Sequence, residues 1–427
     1  MQIIENLKVK EKLYIEKLEN GLTVMIIPRK GIQKKYVIWG TNFGSIDNCF
    51  IVPGEKEPTS IPDGVAHYLE HKMFEQANGI NSLDALSSIG ADANAYTTND
   101  HTAYLFECTE NFYEALDELM DYVQNPYFTD ENVEKEKGII SQEIKMYEDH
   151  PGWQVYLNTL KCLYKENPVR KDIAGTVESI SGIDKEVLYK CYNTFYNPVN
   201  MAMVICGDFV PEEILEEVKK RIIKKENITE IKRIYPEEPK EINKKEEKVQ
   251  MEVSNPLFAI GFKDEVADKK EVVKKHIAIE ILLKMLVGES SELYLDLYKK
   301  GLLLAEPDLD YEFSKQYAFI LITGQSKEPE KVIEAVKKQI EKMKNEEIDE
   351  RVFNRIKKRI YGDYITEYNS ISNVAKMFLA DYFKGINSFE YLEEYTAVTK
   401  EYAKQVLHDV FNEEKMAISI VESNYNE

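Results

Sequence analysis

Four stretches of this sequence return in the same order about 215 to 220 residues further on. The strand-like run 102–106, TAYLF, is echoed by YAFIL at 317–321, and MAMVI at 201–205 by MAISI at 416–420. Between them, amphipathic helical patterns near 113–124 and 328–343 repeat apolar residues at three and four positions. Each is followed by a longer helix, DENVEKEKGIISQEIKMYED in the first half and DERVFNRIKKRIYGDYITEY in the second, with Asp130 and Asp349 as expected N-caps. A chain built this way folds as two similar domains in tandem. Strands mixed with long helices, without strict alternation of one strand and one helix, predict α+β domains rather than doubly wound sheets. The charged stretch 224–248, with two prolines and no helical periodicity, reads as an extended linker between a domain at 1–223 and one at 249–427.

The 427 residues include 43% apolar and 11% aromatic side chains, enough for real cores, so neither a small stapled scaffold nor wholesale disorder is expected. Lys and Arg total 55 against 76 Asp and Glu, a net charge of −21 that repels phosphate backbones and anionic lipid heads. Nucleic acid and membrane partners are therefore not expected. Apolar runs such as 201–206 and 318–322 are far too short to cross a bilayer, and the first residues lack the uninterrupted apolar stretch of a signal peptide. Cys49, Cys108, Cys162, Cys191 and Cys206 are odd in number, widely spaced and without a CxxC pair. They read as reduced thiols of a cytoplasmic protein.

Residues 63–75, DGVAHYLEHKMFE, read as a helix after Pro62. His67 and His71 are one turn apart on one face, the geometry by which two imidazoles grip one Zn²⁺. Glu70 shares that face, where a carboxylate can take a proton from a metal-acidified water. Such a trio also arises by chance on charged helices. The remaining histidines, His101, His150, His276 and His408, are isolated. A catalytic zinc wants a third protein ligand and an open position. Glu136 and Glu143, two turns apart on the long helix of the first half, offer it, or else form a solvated acidic face.

The combination of HYLEH at 67–71 with Phe74-Glu75, Asn94-Ala95-Tyr96-Thr97, Glu136 and Glu143 at seven-residue spacing, and Tyr196-Asn197-Pro198 with Asn200-Met201 resembles the pitrilysin/insulinase zinc peptidases. Their inverted motif is HxxEH. The likeness covers nearly the whole chain, whose size matches the mitochondrial-processing-peptidase branch, and bacterial cytoplasmic members match further over 133–149 and 167–181. This resemblance implies two largely antiparallel sheets with helices packed on one face, the domains facing each other as a clam shell. It implies Zn²⁺ held by His67, His71 and Glu143, Glu70 as general base, and Glu136 orienting a ligating histidine. It implies that the strand 94–107 is an edge on which a peptide lies, with Asn94, Ala95 and Tyr96 binding substrate and Asn94 and Ala95 nearest the scissile bond; otherwise these are ordinary residues of a buried strand.

The family's second domain carries an arginine, a glycine and a tyrosine that hold the substrate backbone. Here the matching stretch 290–303 puts Tyr298 at the arginine position and Leu303 near the tyrosine position, so the guanidinium fork is missing. The second half also has no HxxEH. The expectation is a zinc metalloendopeptidase acting on peptides or small unfolded proteins, as a homodimer or as a heterodimer with a related chain. The alternatives are a zinc-bearing half-enzyme that needs such a partner, and a noncatalytic scaffold.

Overall fold

The structure is a computed structural model that describes residues 1–223 and 231–424. Its strands are β1 (Gln2–Asn6), β2 (Glu11–Lys17), β3 (Thr23–Pro28), β4 (Lys35–Thr41), β5 (Cys49–Ile51), β6 (Pro58–Ser60), β7 (Asp92–Thr97), β8 (Thr102–Cys108), β9 (Met201–Gly207), β10 (Lys232–Arg233), β11 (Glu246–Met251), β12 (Leu257–Asp264), β13 (Asp308–Phe313), β14 (Ala318–Gln325) and β15 (Met416–Ser423). They form a seven-stranded sheet in the order β1-β2-β3-β9-β4-β8-β7, a five-stranded sheet in the order β11-β15-β12-β14-β13, and a small sheet β10-β5-β6.

The sequence repeat is a repeat of topology. Strands β3, β9, β4, β8 and β7 correspond one for one to β11, β15, β12, β14 and β13. In each set the first pair alone is parallel, β3 with β9 and β11 with β15, and the rest are antiparallel. The fold is α+β, as expected. No helix among the described residues is long and apolar enough to cross a membrane.

Helices cover both faces of each sheet, not one. On the first sheet, Val37, Trp39, Met203 and Ile205 point into a core shared with the helices α1 (Val65–Lys72), α2 (Ser82–Ser88), α3 (Phe112–Gln124) and α4 (Asp130–Glu148). The alternate side chains of β9, Ala202, Val204 and Cys206, are equally buried. They lie under the helix Ile371–Lys384, which comes from the second half of the sequence. Gly40 makes that seat: a Cβ there would come within 2.9 Å of both Leu379 and Phe383. The second sheet receives α5 (Pro151–Leu163) from the first half in the same manner, with Val155 packed beside Ala259 and Val421, and Gly261 closing on Thr159.

The compact units therefore do not follow a cut at the linker. One comprises Met1–Ile144, Asp172–Tyr235 and Ile365–Ser388; the other comprises Lys145–Lys171, Pro236–Tyr364 and Phe389–Glu427. A division into 1–223 and 249–427 misassigns the exchanged helices, because an apolar helix face covers whichever sheet face is bare. The linker expectation falls partly on residues 224–230, outside the described residues. Its remaining part, from 231 onward, is extended but pinned. Arg233 donates to Asp47 at 2.9 Å, Glu238 accepts from the backbone of Lys165, Glu166 and Asn167, and β11 begins at Glu246. The long helix α4 is capped one residue earlier than expected, with the Thr129 hydroxyl accepting from the Asn132 amide, whereas Asp349 caps its counterpart as expected through the Val352 amide.

Candidate metal centre

Helix α1 is shorter than the 63–75 reading, running from Val65 to Lys72. Gly64 precedes it at φ 94°, and a Cβ there would strike the Ala174 carbonyl oxygen at 2.4 Å, so only glycine admits the chain at this point. Val65, Ala66, Tyr68 and Leu69 bury the inner face against the sheet, and the Tyr68 hydroxyl donates to the Val133 carbonyl of α4. Helix α4 in turn buries Val133, Ile140 and Ile144. The two anchored faces leave His67 and His71 turned toward Glu136 and Glu143.

The rings of His67 and His71 lie 4.6 Å apart. Nε2 of His67 is 3.6 Å from Glu143 Oε1, and Nε2 of His71 is 3.4 Å from Glu143 Oε2. One donor atom from each of the three falls within 4.8 Å of the others, and no second such cluster exists among the described residues. Ligands about 2.0 to 2.2 Å from one tetrahedral Zn²⁺ sit about 3.3 to 3.6 Å from each other, so the donor set fits that ion and leaves a fourth position open. The two imidazoles are held differently. His71 Nδ1 is 3.1 Å from Glu136 Oε1, while His67 Nδ1 is buried without a hydrogen-bond partner.

Glu70 stands beside this set without belonging to it. It is 9% exposed, and its Oε2 accepts a 2.6 Å hydrogen bond from the Thr97 hydroxyl at the end of β7. Burial opposes charge on His71, but its hydrogen bond to Glu136 and the carboxylates Glu70 and Glu143 outweigh this and push the imidazole above its usual value. The His67 hydrogen bond holds Glu143 below the usual carboxylate range. Burial works against the Glu136 carboxylate, yet His71 and Lys72 bring it below that range too.

Asn94, Ala95 and Tyr96 lie on β7, at the edge of the seven-stranded sheet. The expected single strand 94–107 is instead a hairpin, β7 turning through 98–101 into β8, because Thr98 ties itself to Asp100 and His101. The second-half stretch lies on the helix Glu292–Lys299, where Tyr298 stacks on Tyr294 and is exposed while Leu303 is buried. Two contributors had no role assigned from sequence. Thr97 sits in the quoted strand motif, but only the fold shows it meeting Glu70. Lys72 occupies an inward helix position, a placement that a lysine adopts only with partners.

Comparison with known proteins bears on this site. The insulinase family profile (peptidase family M16) matches residues 54–177, and a second, described as the peptidase M16 inactive domain, matches 182–360. The chain is 39% identical over 419 residues, 97% of each chain, to an uncharacterized zinc protease, YmfH, of Bacillus subtilis. It is 24% identical to the zinc protease PqqE of Helicobacter pylori over 86% of this chain and 82% of that one. The crystal structure of an M16-like peptidase from Alicyclobacillus acidocaldarius superposes with a TM-score of 0.93 at 33% identity, covering 99% of this chain and 100% of the other. The cofactor is Zn²⁺, the ion these relatives are named for and these donors suit. With its HxxEH helix, its duplicated topology and these relatives, the chain belongs to the M16, or insulinase, family of zinc peptidases.

Proposed function

We propose that the chain is a zinc-dependent metalloendopeptidase that hydrolyses peptide bonds in peptides or small unfolded proteins. The observation that carries this reading is the convergence of His67, His71 and Glu143 beside a buried Glu70 whose carboxylate is already anchored. Zn²⁺ held by those three side chains would supply Lewis acidity for the scissile carbonyl and lower the pKa of the attacking water. Glu70 takes the proton from that water and passes it to the leaving amine. Thr97 holds Glu70 Oε2, which leaves Oε1 to carry the proton. Glu136 orients His71 through Nδ1 so that Nε2 faces Glu143. The outer edge of β7, with Asn94, Ala95 and Tyr96, offers main-chain groups to an extended substrate. We place the protein in the cytoplasm, a reading supported by five thiols, none of them paired. The test is cleavage of a mixed peptide pool by the purified chain, abolished by a chelator and restored by Zn²⁺. Full zinc loading without any cleavage would favour the noncatalytic scaffold.

A second reading has its own observation. The exposed Tyr298 and buried Leu303 cannot reproduce a bidentate guanidinium and a facing hydroxyl, so a related subunit would complete substrate binding. Mixing this chain with a same-fold partner that keeps the arginine and tyrosine should then give turnover above the sum of the two alone. A homodimer running at full rate, without gain on mixing, excludes it.

A further inference from the structure

Lys72 is a lysine where a core residue belongs. It lies four residues after Tyr68 and three after Leu69 on the buried face of α1, and its side chain is 0% exposed. Burying an ammonium is costly unless carboxylates meet it. Two do: Nζ is 2.7 Å from Glu75 Oε2 and 3.6 Å from Glu136 Oε2. Glu136 is itself buried, and its other oxygen, Oε1, is the one that meets His71 Nδ1 at 3.1 Å. The carboxylate of Glu136 thus lies between the metal-site imidazole, which it meets at hydrogen-bond distance, and the ammonium, with which it forms an ion pair at 3.6 Å without a hydrogen bond.

We infer that Lys72 is a positioning residue for the zinc site: it fixes the plane of the Glu136 carboxylate, and through Glu136 the orientation of His71. Glu75 completes the arrangement by holding the ammonium from the far side, so that the chain Glu75, Lys72, Glu136, His71 runs from the end of α1 to the donor set. This deepens the metallopeptidase reading and rests on it. Removing the ammonium alone would leave the buried Glu136 carboxylate without its counter-charge, a loss of stability that a purely structural lysine would show as well. Zinc affinity of the folded chain, not its stability, therefore separates the two roles.

The test is Lys72→Met, which keeps length and packing, measured on the purified full chain by zinc competition against a chromophoric chelator and by thermal melting of the metal-free protein. Zinc affinity should fall by roughly ten- to a hundredfold, the range for loss of a group that orients a ligand, whereas a lysine with a structural role alone would lower the metal-free melting temperature and leave the zinc affinity of the folded chain unchanged. Glu136→Gln should show a comparable loss, and adding Lys72→Met to it should cost less than about twofold more, because both act through one carboxylate. Unchanged zinc affinity in Lys72→Met, or independent multiplicative losses in the double variant, would overturn the inference. If Lys72→Met does not yield soluble protein, Lys72→Gln is measured the same way, with a smaller loss of affinity expected and an unchanged affinity again overturning it. The underlying reading fails separately: in that case wild type and His71→Ala would bind zinc equally.

Discussion

Helix α1 and the helix Val272–Val287 hold the same place in the two halves, each between the central antiparallel strand and the outer hairpin of its sheet. Both present a histidine and a glutamate to one face. In the second helix these are His276 and Glu280, with His276 Nε2 3.6 Å from Glu280 Oε1. Yet only the first forms a donor cluster among the described residues. The difference lies in what faces the helix. His276 Nδ1 meets the Tyr391 hydroxyl at 2.8 Å, and the rings of Tyr311, Phe313 and Tyr391 surround its imidazole at 5.3 to 5.6 Å. At the position matching Glu143, the second long helix carries Asp363, whose carboxylate accepts from the Arg359 guanidinium at 3.2 Å. In the first half the opposing helix brings Glu143 to both imidazoles, whereas in the second half aromatic rings enclose His276 and the matching Asp363 faces Arg359.

The strongest way to break this contrast is to count metal. The chain should hold about one Zn²⁺, His71→Ala should lose it, and His276→Ala should keep it. Elemental analysis that finds His71→Ala as loaded as wild type would show that the ion is held elsewhere.

A finer probe removes the hydroxyl behind the base. Thr97→Val leaves all three donors in place but frees Glu70 Oε2. A hydrogen bond to a charged group contributes about 1.5 to 3 kcal/mol, so turnover should fall roughly ten- to a hundredfold with zinc content unchanged. Turnover equal to wild type would mean that Glu70 needs no anchor.

The smallest effect belongs to the second half. Burial, opposed by the Tyr395 hydroxyl, pushes Glu280 up to about 7 from its ordinary 4.5. Between those values the folded chain holds a proton that the unfolded chain has released, so stability falls as pH rises through that window. Glu280→Gln removes that slope. Its melting temperature relative to wild type should therefore climb from pH 5 to pH 8, and a difference that stays flat would contradict the assignment.

Much of the site was legible because it depends on helical spacing. His67, Glu70 and His71 share a face by periodicity, as do Glu136 and Glu143, and the repeat of TAYLF and MAMVI is the repeat of β8 and β9 in β14 and β15. What spacing cannot report is which surfaces meet. The apolar faces of α5 and of Ile371–Lys384 carry no mark of the sheet they cover. The available sign was on the strand: every residue of β9 is buried, and a strand apolar on both sides must be covered on both. Thr97 and Lys72 escaped for a similar reason, since each acts across the fold on a partner distant in sequence.

The proposed mechanism makes Glu70 a base beside the metal and not a ligand to it. Glu70→Gln keeps shape and hydrogen bonding but cannot take the proton, and the measurement is zinc content and peptide turnover on the same preparation. Full zinc with turnover lower by about two orders of magnitude or more is expected. Loss of the metal, or turnover equal to wild type, would contradict it.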